Sequence, residues 1–181
     1  MVHDRELVER LDSLPREAFS GEVFRATRVS LDPLASSYSG GRWMRRDAAA
    51  VLYTSCQREG ALAEIAFHWS QLTPRPTKPV VVHTLRVVTR RTLRLIRADL
   101  AALGVPQSVY ESLNPPRAQA IGAAAQFLGC DGLIAPSARW PCDNLVLFSE
   151  QMDASASVDL IRSETVDWAA WATDNGMFGA E

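Results

Sequence analysis

"DGLIAPSARWPCDNLVLF", residues 131–148, carries two short apolar runs separated by a proline-bounded loop. Gly132-Leu133-Ile134-Ala135 and Leu145-Val146-Leu147-Phe148 each read as a buried strand, and Pro136 and Pro141 mark the loop between them. Upstream, Pro115 and Pro116 can open a helix running to about Leu128, since proline is tolerated in a first turn, and Gly129 caps it. Downstream, Val158-Asp159-Leu160-Ile161 predicts a last strand and Val166 to Thr173 a last short helix.

The N-terminal half mixes the same elements. Leu7, Val8 and Leu11 recur at helical spacing between Asp4 and Leu14, and Pro15 ends that pattern. The alternating segment Val23 to Val29 predicts a strand, residues 30–41 a loop, and Ala50 to Thr54 a short buried strand. Residues 59–71 give the clearest helix, with Leu62, Ile65, Ala66 and Trp69 on one stripe. Two strands follow, over Val80 to Val88 and Thr92 to Ile96, then a helix over residues 97–103 ending at Gly104. Strands and helices thus mix without regular βα alternation, which predicts an α+β fold rather than a doubly wound sheet. No repeat or linker interrupts the sequence, so residues 1–181 are expected to form a single domain.

Composition narrows the function. The 181 residues are 47% apolar and 22% charged, values of a globular chain able to bury a core without staples. A net charge of −2 gives no electrostatic footprint for direct nucleic-acid binding. The charge is unevenly spread. Residues 75–97 hold Arg75, Lys78, Arg86, Arg90, Arg91, Arg94 and Arg97 with no acid, whereas Asp159, Glu164, Asp167, Asp174 and Glu181 fall near the C-terminus. The basic run is either a solvated strand face or a surface for an acidic partner. Cys56, Cys130 and Cys142 form no C-x-x-C, and His3, His68 and His83 form no ligand pair, so neither a metal site nor a disulfide framework is expected. No signal-like segment or membrane-length apolar run is present, and a cytoplasmic protein is expected.

Four places hold candidate chemistry. Ser39-Gly40-Gly41-Arg42-Trp43 is either a turn into a strand or a loop that aims Arg42 at a ligand. Glu64 lies off the apolar stripe of its helix, yet its own side carries Gly60, Ala61, Phe67 and His68. It is therefore either an exposed residue near a helix start or a buried carboxylate that needs partners. Arg42, Tyr53 and Glu64 stand eleven residues apart in succession on loop, strand and helix, elements that tend to be neighbours in space. Ser137 follows the strand ending at Pro136 but lacks a G-x-S-x-G elbow, so it reads as a turn serine or an orienting group rather than a nucleophile.

Together these segments resemble the RES-domain family, named for its arginine, glutamate and serine. The matching residues are Phe24-Arg25-Ala26, "GGRW" at 40–43, "VLYTS" at 51–55, "ALAEIAF" at 61–67, Gln119 with Gly122, and the 131–148 stretch. They run from about residue 21 to about 161 in the family's order. The resemblance implies a fold similar to the diphtheria-toxin-like ADP-ribosyltransferases, with mixed, bent sheets around an NAD cleft. It implies the toxin of a bacterial type II toxin–antitoxin pair that cleaves the nicotinamide–ribose bond of NAD, by phosphorolysis or hydrolysis. Arg42, Tyr53, Glu64 and Ser137 become the expected catalytic residues. Arg25, Gly40, Gly41, Arg139 and Asn144 become substrate-binding candidates, and Gln119 a supporting one. NAD would be a substrate, with inorganic phosphate as a co-substrate, and no cofactor or metal is implied. The implied partner is an Xre-like helix-turn-helix antitoxin, with a homodimer or hetero-oligomer as the assembly. Two other readings stay open: ADP-ribosylation of a protein, and a RES-like binding module with weak catalysis.

Overall fold

The structure, a computed structural model, describes residues 3–113 and 115–177. It has an α+β architecture, a mixed sheet flanked by helices, as the sequence predicts. Its strands are β1 (Arg16–Arg28), β2 (Val51–Ser55), β3 (Val80–Arg94), β4 (Gly132–Pro136), β5 (Asp143–Phe148) and β6 (Ser157–Val166). Its helices are α1 (Arg5–Asp12), α2 (Arg58–Ser70), α3 (Arg97–Ala102), α4 (Gln107–Tyr110), α5 (Pro116–Phe127) and α6 (Trp168–Asp174).

The sheet order is β1-β2-β5-β4-β3-β6, and β3 also pairs with β1. The ladder therefore closes on itself through β1 and β3, with β6 added outside. The sheet regions expected from the resemblance are continuous through these two long strands. Among the described residues, only the β3–β4 pairing is parallel.

Alternation along the strands sends side chains to two sides. Val23, Leu52, Leu85, Ile134, Leu145 and Leu147 meet inside the closed ring. Val51, Leu93, Leu133, Val146 and Phe148 face outward into the largest core cluster, which α1, α3 and α5 cover with Leu7, Leu100 and Ile121. A third cluster seats Leu62 and Ala66 of α2 against Val80 and Val82 of β3 and Trp168 of α6.

Three expectations change. The break predicted between Val88 and Thr92 does not exist, and β3 runs unbroken to Arg94. The Asp131 carboxylate takes the backbone N–H groups of Arg90 and Arg91, which keeps these charged residues in the strand. β1 and β6 are longer than their apolar patterns indicated, because each pairs along β3 from positions that expose their side chains. The third is helix α4, in a stretch where the sequence pattern predicts no element.

Part of the uneven charge is paired within the sheet. Arg86 lies across from Glu22 on one side and Asp159 on the other, with a 3.4 Å ion pair to Glu22. Arg94 meets Glu17 at 2.7 Å and Asp143 at 3.1 Å. Glu164 pairs with Arg58, and Glu181 lies outside the described residues. Arg86 and Arg94 of the basic run thus belong to a paired strand face.

Gly122 fixes how closely α5 approaches the 40–44 loop. A Cβ there would lie 1.8 Å from the Trp43 carbonyl oxygen, inside any permitted contact. Trp43 itself is a core residue, 1% exposed. Gly122→Ala is expected to cost roughly 3 kcal/mol by overpacking. That would lower the thermal midpoint by about 6–12 °C for a chain of this size. An unchanged midpoint would show that α5 does not press on this carbonyl.

Candidate active site

Three elements deliver the centre. α2 starts three residues after β2 ends and folds back over the strand ends. Gly60, one turn before Glu64, makes this possible: a Cβ there would lie 2.2 Å from Ser55 Oγ and 2.5 Å from Cys142 Sγ. Glu64 is thereby brought to the C-terminal end of β4 and the start of β5.

Ser137 Oγ donates to Glu64 Oε1 at 3.0 Å, and Asn144 Nδ2 donates to the same oxygen at 2.9 Å. Oε2 accepts no hydrogen bond from any described residue, and Glu64 joins no ion pair among them. The half-buried carboxylate is held by one oxygen and open at the other. The buried Oδ1 of Asn144 likewise has no partner among the described residues.

The Ser137 hydroxyl is oriented from behind. Its oxygen accepts from Arg139 N at 3.1 Å and Trp140 N at 3.3 Å, which turns its hydrogen toward Glu64. Its backbone N–H donates to the Cys142 carbonyl at 2.7 Å and closes the loop. No histidine bonds it. His83 is buried between Thr27 and Ser163, and burial pushes its pKa down. His68 stands on the rim one turn beyond Glu64. Its pKa is pushed down by surrounding protein and drawn up by the Glu64 charge.

Tyr53 projects from β2, half-buried, and its hydroxyl accepts from Trp43 N at 3.3 Å. Burial pushes its pKa up to about 12, with Arg42 opposing and Glu64 adding to the rise. Arg42, Tyr53 and Glu64 therefore share one electrostatic neighbourhood, as their succession along the chain suggested.

The two glycines before Arg42 serve the protein's own packing. Gly40 has φ +78°, and a Cβ there would lie 2.6 Å from Arg46 N; a Cβ on Gly41 would lie 2.7 Å from the Tyr53 hydroxyl. Gln119 Nε2 donates to the Gly41 carbonyl at 3.0 Å and ties the loop to α5, a supporting role. The guanidinium of Arg42 lies 4.7 Å from the centre of the Tyr110 ring and donates to the carbonyls of Tyr110 and Ser112.

Arg139 stacks 3.5 Å over the Phe67 ring and donates to the Glu111 carbonyl at 2.9 Å. Burial and the nearby Arg42 charge lower its pKa, against Glu64. Neither Arg42 nor Arg139 forms an ion pair among the described residues. Arg25 is not drawn into this group. It donates to the carbonyls of Pro33 and Ala35 and braces the loop after β1. Phe67, His68 and Tyr110 were not singled out from the sequence as site residues. The only signal for the first two was their spacing from Glu64.

The RES domain matches residues 18–169. The chain belongs to the RES-domain family. This match extends slightly past the 21–161 span that the motifs marked. In three dimensions the RES fold seen here is similar to a chain of the M. tuberculosis MbcT–MbcA toxin–antitoxin complex, its MbcT toxin. The TM-score is 0.79 at 21% identity, covering 94% of this chain and 97% of that one. No curated protein matches its sequence. Among the described residues of this RES domain, no three His, Cys, Asp or Glu side chains gather as metal ligands, and no helix is long and apolar enough to cross a membrane.

The raised pKa of Tyr53 makes a stability prediction. The unfolded phenol ionises near pH 10 while the folded one stays protonated to about 12. Its contribution to stability is fully present below pH ~10 and is lost as pH rises towards 12. Urea-unfolding midpoints should therefore fall over this range, and Tyr53→Phe should fall less steeply. Equal slopes for the two proteins would show that the phenol is not held neutral.

Proposed function

We propose that this chain is the toxin of a type II toxin–antitoxin pair and that it cleaves the nicotinamide–ribose bond of NAD. The observation that carries the reading is the Glu64 carboxylate, fixed at Oε1 by Ser137 and Asn144 with Oε2 left open. A carboxylate so held suits a reaction in which positive charge develops on a sugar. It stabilises that charge without first having to reorganise. At about 4 Å and an effective dielectric near 20, one such charge pair is worth roughly 4 kcal/mol.

The C1–N bond of the nicotinamide riboside breaks, and its electron pair leaves with nicotinamide. Glu64 Oε2 accepts a hydrogen bond from a ribose hydroxyl and faces the oxocarbenium-like sugar. An acceptor oxygen, from phosphate or water, then bonds to C1 and its proton passes to solvent. Tyr53 supplies an aromatic face for the nicotinamide ring, and Ser137 orients the ring amide or the acceptor. Arg42 and Arg139 take the diphosphate, because a guanidinium is the natural bidentate partner of a phosphate and neither is engaged in an ion pair among the described residues. Arg25 acts as a brace that shapes the binding loop, and Gly40 and Gly41 allow Arg42 and Tyr53 their places.

Family membership supports the toxin role, as does the likeness to a chain solved with its antitoxin. The partner proposed is an Xre-like helix-turn-helix antitoxin that supplies any DNA contact, and the place of action is the cytosol, where NAD is abundant. The assembled centre argues against a module that only binds.

The test is direct. Purified protein should consume NAD and release nicotinamide, and Glu64→Ala should lower turnover at least about 100-fold, the usual loss for a group serving the transition state. Phosphorus NMR separates the acceptors, since phosphorolysis alone yields a new phosphomonoester. Label from NAD appearing on protein would instead assign ADP-ribosyl transfer. Intact NAD with and without phosphate, in an assay where a known NAD-cleaving enzyme works, would sink the reading.

A further inference from the structure

Tyr110 sits on α4, the four-residue helix that the sequence did not reveal. It is 1% exposed, and it touches both halves of the centre. Its ring lies under two guanidinia, 4.7 Å from Arg42 and 5.4 Å from Arg97. Its hydroxyl donates to the carbonyl of Pro136, the residue before Ser137. Its own carbonyl accepts from Arg42, and the next two carbonyls accept from Arg139 and Arg42, at 2.9 and 3.2 Å. Arg97 continues the link by donating to the Ser137 carbonyl at 3.2 Å.

We infer that Tyr110 is a positioning residue for NAD cleavage, holding Arg42 through its ring face and the Ser137 loop through its hydroxyl. This rests on the function proposed above. The two contacts act on different steps. The ring and carbonyls set where the diphosphate-binding guanidinium stands, which governs substrate binding. The hydroxyl fixes Pro136, hence the Ser137 hydroxyl and the carboxylate it holds, which governs the chemical step. Burial raises the Tyr110 pKa, against the charges of Arg42 and Arg97, so the phenol stays a donor throughout the working range of pH. A merely structural tyrosine would give one effect, a fall in stability, and no division between the two kinetic constants.

Steady-state NAD cleavage by the full chain measures that division. Tyr110→Phe keeps the ring under Arg42 and loses the donor to Pro136. Its kcat should fall about tenfold, with KM within about twofold of wild type. Tyr110→Leu loses the ring as well, and its KM should rise about tenfold. On an Arg42→Ala background, Tyr110→Leu should raise KM no further, because the two changes remove one interaction. Wild-type kcat in Tyr110→Phe overturns the inference, and so does a KM effect of Tyr110→Leu that adds in full to that of Arg42→Ala. Should the leucine variant not fold, the phenylalanine variant still decides. Wild-type protein that leaves NAD intact removes the proposed function and this inference together. An active wild type with an indifferent Tyr110 removes the inference alone.

Discussion

The paired hydrogen bonds onto Glu64 Oε1 hold the molecule's working end together. They join α2, the loop after β4 and the first residues of β5 at a single carboxylate oxygen. Charge-assisted bonds of this kind are about twice as strong as neutral ones. A half-buried carboxylate also needs them, since leaving it unpaired away from water is costly. Much of the surrounding packing serves this meeting. Gly60 lets α2 settle against Ser55 and Cys142. The closure of β1 on β3 sets the frame whose strand ends carry Tyr53, Ser137 and Asn144. The open oxygen follows from the geometry, because both donors approach from the β4–β5 side.

How much of this could be read from the sequence depends on whether a feature is local. The stripe Leu62, Ile65, Ala66 and Trp69 predicted α2 because helix period and burial coincide along one segment. β4 and β5 were legible because they are short and buried on both faces. The ends of β1 and β6 were not, since their residues are exposed and only pairing with β3 makes them strands. α4 was missed for a related reason. Its four residues include one buried side chain, Tyr110, which no periodic pattern can announce. Among the candidate residues, Glu64, Ser137 and Asn144 meet as one group and Tyr53 and Arg42 adjoin it, but Arg25 turns to its own loop. Its place in the alternating Val23 to Val29 segment gave no sign of that.

Charge shows the same limit of one-dimensional reading. An acid-free run of seven basic residues read as either a solvated strand face or a surface for an acidic partner. The fold sets acids beside it: Glu17 and Glu22 on β1, Asp159 on β6 and Asp143 on β5. Exposed pairs of this sort add little stability individually, about 0–1 kcal/mol each. Their effect is local: they offset the charges of Arg86 and Arg94 within the sheet.

Around Glu64, two guanidinia stand outside any ion pair among the described residues. Arg42 and Arg139 both donate to neutral carbonyls of the turn after α4, and each lies over an aromatic ring. Such partners hold a guanidinium in place without neutralising it. A phosphate oxygen is a stronger acceptor than a carbonyl and brings the missing charge. In the proposed function, an arriving diphosphate would find two donors already oriented, the ordering cost of two long side chains having been met during folding. In the function proposed above, Glu64 lies within the electrostatic reach of both guanidinia, so the sites for the anionic and the ribosyl parts of the substrate adjoin.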